Sequence, residues 1–72
     1  MYTQVELKYK DGKKEVCWIL SEIAQQGKWI KVGEKKSDMV LAFVTKAYPD
    51  IQQTIEEIGI NRKYPLWKAT DI

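Results

Sequence analysis

The chain has no histidine, one cysteine, two prolines and four glycines among its 72 residues. Without histidine there is no imidazole to act as general base, activate a serine or hold a metal. One thiol cannot build a zinc–thiolate cluster or a disulfide framework, so a reducing, intracellular setting is expected. Long apolar runs are missing too. The longest, Met39 to Val44, falls far short of the roughly 20 residues of a membrane span. The amino terminus alternates charged and apolar residues from Val5 and has no signal-peptide core. A soluble, cytoplasmic protein without membrane contact follows. Charge of one sign is scarce as well: twelve basic and ten acidic residues leave +2, below the strongly basic balance of a dedicated nucleic-acid binder.

What is present fits one small domain. A chain of this size buries only about 60% of its unfolded surface, so every packed residue matters. Val5, Leu7 and Tyr9 alternate with Glu6, Lys8 and Lys10, Asp11-Gly12 offers a turn, and Val16 and Trp18 resume the alternation. Asp-Gly as a two-residue type I′ loop predicts a hairpin over 5–19. In that register Leu7 faces Val16, Val5 faces Trp18 and Lys8 faces Glu15. Cys17, out of phase with Val16 and Trp18, is then expected at partial exposure as a small apolar filler.

Ser21 as N-cap and Gly27 as terminator predict a single helical turn leaning on the core through Ile23 and Ala24. Residues 28–32 alternate as a strand, with Ile30 and Val32 on one face and Trp29 and Lys31 on the other. A polar loop over 33–38 leads to a strand over 39–48, apolar on both faces and so expected to be central. Asp50 with Gln53 suggests a capping box, and Gly59 a stop, for a helix over 51–58 with Ile51, Ile55 and Ile58 in one stripe. In that frame Glu56 and Glu57 lie at the unfavourable end of the helix dipole, within reach of Arg62 or Lys63. As neighbours on a helix they point about 100° apart, so they make no carboxylate pair for catalysis.

These elements predict a mainly β, α+β fold: a small, bent, antiparallel four-stranded sheet forming an SH3-like partial barrel. One short helical turn and one C-terminal helix complete it; an open sheet crossed by the helix is the second choice. The domain spans 1–59. The tail 60–72 holds Tyr64-Pro65-Leu66-Trp67, too apolar for a free end and suited to docking or closing a sheet edge. The expected core is Val5, Leu7, Val16, Trp18, Ile23, Ile30, Val32, Leu41, Phe43 and Ile55.

No catalytic group, metal site or cofactor is expected. Binding candidates are Trp29 with Lys28, Lys31, Lys35 and Lys36, and Tyr64 with Trp67 beside Arg62, Lys63 and Lys68. An exposed tryptophan among lysines could stack a base or anchor a protein partner; a covered Trp29 would be core. Lys13-Lys14 and Lys35-Lys36 lie in turns and read as solvated surface.

Cys17-Trp18-Ile19, then Ala24, Gly27-Lys28, and the ending Lys68-Ala69-Thr70-Asp71-Ile72 resemble a group of very short proteins encoded by tailed phages. Leu20 stands where that pattern has proline. The resemblance implies a non-catalytic binder that inhibits or redirects a host complex, RNA polymerase first, as a transcription regulator in the host cytoplasm. A nucleic-acid-binding β module is the alternative, and an inhibitor of bacterial defence a further one. Oligomeric state is left open by the residues.

Overall fold

The computed structural model describes residues 1–60 and 63–72. Five strands, β1 (Tyr2–Tyr9), β2 (Lys14–Leu20), β3 (Trp29–Gly33), β4 (Val40–Gln53) and β5 (Lys68–Asp71), form one antiparallel sheet in the order β2-β1-β4-β3-β5. A 3-10 turn (Lys36–Asp38) precedes β4, and helix α1 (Ile55–Ile60) follows it. The mainly β expectation holds, with five strands instead of four. The fifth is the tail itself: Lys68 to Asp71 pair with Gly33 to Ile30 along β3. Among the described residues no helix is long and apolar enough to cross a membrane.

The β1–β2 hairpin forms, but one residue out of the expected register. Thr3 pairs with Ile19, Val5 with Cys17, Leu7 with Glu15 and Lys8 with Lys14. The cause is the loop. Gly12 is the one turn residue with positive φ, at +89°, whereas a type I′ turn needs two. The Gly12 amide donates to the Tyr9 carbonyl at 3.0 Å, and the Tyr9 amide to the Lys13 carbonyl at 2.8 Å. That is a three-residue loop closed by a glycine bulge. Asp11 keeps negative φ and accepts the Lys13 amide on its carboxylate at 3.0 Å.

A one-residue slip exchanges the faces of a strand. Cys17 and Ile19 therefore enter the core in place of Val16 and Trp18, and Cys17 is fully buried, not partly exposed. Val16 is half-buried. Trp18 is buried but stands outside the central cluster. That cluster is Val5, Leu7, Cys17, Ile19, Ile30, Val32, Ala42, Val44 and Ala69. Ile23 is half-buried against it.

The stretch from Ser21 to Gly27 is a pair of overlapping turns, not a helical turn. The Ile23 amide donates to Leu20 at 3.0 Å and the Ala24 amide to Ser21 at 3.3 Å. Ser21 turns its hydroxyl to Thr3, 2.7 Å away, and satisfies the buried Thr3 instead of capping a helix.

β4 is longer than expected and runs through Pro49-Asp50. Two irregularities make this possible. Val44 pairs with Leu7 but Lys46 with Glu6, so Thr45 is extra; Tyr48 pairs with Gln4 but Gln52 with Thr3, so residues 49–51 are extra. Proline is tolerated in a strand at such a bulge. The first bulge also lets Ala42 and Val44 face the core while Ala47 still packs against it. Leu41 and Phe43, expected as core, are half-buried on the opposite face.

With β4 occupying residues 51–53, the helix starts later. Thr54 caps it: its hydroxyl accepts the Glu57 amide at 3.2 Å, and Glu57 accepts the Thr54 amide at 2.9 Å. This is a capping box four residues beyond the expected one. Glu56 and Glu57 now occupy the first turn, where the dipole favours them. The Thr54 amide holds the Glu57 carboxyl below its ordinary range. Ile55 is 57% exposed and Ile51 is exposed, so neither is core; only Ile58 of the expected stripe is buried.

Candidate binding face

Sheet register places the candidate residues. On the face away from the core, Lys8 of β1 pairs with Phe43 of β4, and Phe43 with Trp29 of β3. The next row along the same face holds Leu41 opposite Lys31, and Lys31 opposite Thr70 of β5. Trp29 is 47% exposed. Its ring meets Phe43 edge-on, with centroids 5.2 Å apart at 61°. Lys8, Tyr9 and Lys10 join Trp29 and Phe43 around a shallow hollow of about 440 Å³. Lys8, Lys10 and Lys31 are all exposed.

Two acidic groups lie along the border, Glu6 near Lys14 and Lys46 and Asp71 on Lys28. Glu6 accepts the Thr45 hydroxyl on a carboxylate oxygen at 2.6 Å, and the same hydroxyl lies 3.0 Å from the Glu6 carbonyl. The Thr45 hydroxyl lowers the Glu6 pKa first, and Lys14 and Lys46 add to the shift. Asp71 pairs with Lys28.

The candidate lysines therefore separate. Lys31 shares the face with Trp29. Lys28 is tied to Asp71, although its carbonyl, accepting the Val44 amide at 2.9 Å, fixes the entry to β3. Lys35 precedes the 3-10 turn and Lys36 opens it. Lys36 borders a different groove, beside Tyr2, Met39 and Ile55.

Trp67 is docked. It is half-buried against the core cluster, and its indole nitrogen donates to Glu15 Oε1 at 2.8 Å. The Tyr9 hydroxyl donates to the same oxygen at 2.6 Å. Burial first, and then the bond to Glu15, push the Tyr9 pKa up. The strap leading to β5 is also held on β2. The Trp18 amide donates to Pro65 at 2.9 Å, the Trp67 amide to Trp18 at 3.0 Å, and Leu66 bridges Trp18 in parallel. Tyr64 is half-buried, with Lys63 Nζ 5.5 Å from its ring centroid. Arg62 lies outside the described residues.

Cys17 offers no nucleophile in this state. Burial, with the nearby Glu15 charge adding, pushes its thiol pKa well up, and a thiol that stays protonated is inert. Among the described residues no group of three or more histidine, cysteine, aspartate or glutamate side chains is placed to hold a metal ion.

Lys8, Lys10 and Phe43 were not legible as members of this face. Alternation marks Lys8 as outward on β1, but only β1–β4 pairing, 35 residues apart for Lys8 and Phe43, brings it beside the aromatics. Comparison of the chain with family models, curated proteins and solved structures finds no match.

Proposed function

We propose that this chain is a small non-catalytic binding protein whose working surface is the outer face of β1, β4 and β3. One observation carries the reading: Trp29, 47% exposed, sits in register with Phe43 and Lys8 and beside Lys31. An isolated exposed tryptophan is unremarkable. One backed by a second aromatic and rimmed by cations is an anchor for an anionic partner, since aromatic residues at the centre of a patch carry most binding energy. On the phage resemblance, the proposed target is a host complex in the host cytoplasm, RNA polymerase first, which the protein inhibits or redirects. Architecturally we read the open five-stranded sheet as bending toward a partial barrel, a reading supported by residues 65–71 bonding to β2 at Trp18 and to β3. An SH3-like assignment has to accommodate β1 lying between β2 and β4.

The test is binding to purified bacterial RNA polymerase by the tagged protein and two variants. Trp29→Ala is expected to weaken capture by about 30-fold or more, the effect of losing a hot-spot residue worth roughly 2 kcal/mol. Lys8→Glu with Lys31→Glu is expected to slow association and reduce its salt dependence. Full affinity in both variants would remove this face from the function.

A further inference from the structure

We infer that the anionic partner of this face is a single-stranded nucleic acid, with a base on Trp29 and phosphates on Lys8, Lys10 and Lys31. The inference rests on the surface proposed above and names what touches it directly; direct contact of this face with polymerase protein instead is the competing outcome of the test. Three strands at about 4.8 Å spacing make a platform roughly 10 Å across. Trp29 stands on one side of it, with Phe43 edge-on at the centre and Lys8 on the far strand. Lys10 borders the hollow beside Phe43, and Lys31 follows Trp29 on β3.

The residue types select the ligand. A base brings a flat π surface for the half-exposed indole, and its own phosphates bring charge to the lysines a few ångströms away. An acidic peptide supplies the charge without the flat partner. A duplex keeps its bases stacked inside and can satisfy the lysines alone. The small net charge of +2 is no obstacle at this scale. Glu6, one row away, stays ionised but is paired across the sheet with Lys46 and lies near Lys14, and Asp71 pairs with Lys28, so each of these charges is offset by a cation. Among the described residues, the paired positions of these two rows are Lys8, Phe43 and Trp29, and Leu41, Lys31 and Thr70, with lysines and no acidic side chain.

The experiment titrates the full chain with a short labelled oligothymidylate, an oligouridylate and a duplex of matched length, with poly-L-glutamate as competitor. Both single strands are expected to bind, and the duplex more weakly. Three lysines at about −0.7 each give a salt slope near −2, so binding weakens about 20-fold between 50 and 200 mM salt. Trp29→Ala is expected to weaken single-strand binding by roughly 5- to 150-fold. Lys8→Glu with Lys31→Glu, two exposed positions, is expected to flatten the salt slope. Cooperative melting establishes that each variant is folded.

Unchanged binding in folded Trp29→Ala, or equal competition by poly-L-glutamate, would reduce the face to a general polyanion surface and overturn the inference. Failure of both single strands to bind, with Trp29 still required for polymerase capture, would overturn it while leaving the proposed surface standing. If neither ligand depends on Trp29, both readings fall.

Discussion

Trp29 and Trp67 have similar neighbours in the chain and opposite places in the molecule. Each sits beside a lysine, Lys28 or Lys68, and near a β-branched or apolar residue. Trp67 lies half-buried with its indole nitrogen on Glu15, a residue 52 positions away. Trp29 stands half-exposed on the other side of the sheet against Phe43. The difference is what each element meets across the fold. The strap before β5 crosses β2 at Trp18 and drops Trp67 onto the inward carboxylate of Glu15, which Tyr9 already engages. β3 is paired edge to edge with β4, and its outer side at Trp29 stays open among the described residues. An aromatic among lysines therefore marks a site only after its tertiary partner is known.

The strongest way to break this comparison is Trp67→Ala. It removes a half-buried ring and the bond that ties the strap to Glu15, and is expected to cost about 2–4 kcal/mol. In a domain this small that is a large share of the total. Urea denaturation measures it, and a loss below about 1 kcal/mol would mean that the strap is held without Trp67. Trp67→Phe keeps most of the ring, and the expected loss there is about 1 kcal/mol, the value of the hydrogen bond.

A smaller effect separates the buried face from the exposed one by pH. Burial raises the Cys17 pKa in the folded chain, while the unfolded thiol ionises near 8.5. Above that pH the unfolded state has released a proton that the folded state keeps. Stability from this group is complete below about pH 8.5 and declines as pH rises, by up to about 1.4 kcal/mol per unit. Tyr9 joins the decline above its unfolded value of about 10. Cys17→Ala is expected to flatten the curve between about pH 8.5 and 10; an unchanged slope would place its origin elsewhere.

The smallest effect belongs to the residue with the largest expected role in binding. With Trp29 half-exposed, Trp29→Ala is expected to cost about 1 kcal/mol or less, far from the roughly 3–5 kcal/mol of a core tryptophan. Thermal unfolding distinguishes the two. A core-sized loss would show that this ring supports the fold and would void its use as a binding probe.

The outline of the fold was legible from local chemistry. Alternation located β1, β2 and β3, and Gly12 and Gly27, both with positive φ, marked real chain reversals. The register was not, because Asp-Gly closes either a two-residue or a three-residue loop, and the choice moved Cys17 and Ile19 inward. The helix start was misplaced because Asp50-x-x-Gln53 has the spacing of a capping box, while the box that forms is Thr54-x-x-Glu57. Pairing of Gln52 and Gln53 with Thr3 and Tyr2 claimed the first of them for the sheet. Of the binding face, Trp29 and Lys31 could be seen on one strand. Lys8, Lys10 and Phe43 could not be joined to them.

By itself the sequence determined a histidine-free, mainly β domain of alternating strands around one doubly apolar strand, because period-two alternation and turn residues act over a few neighbours. The tertiary structure decided register, the fate of each tryptophan and the composition of the exposed face. Those depend on pairings such as Lys8 with Phe43 and Trp67 with Glu15, where long stretches of chain close before the contact forms and no local pattern records the partner.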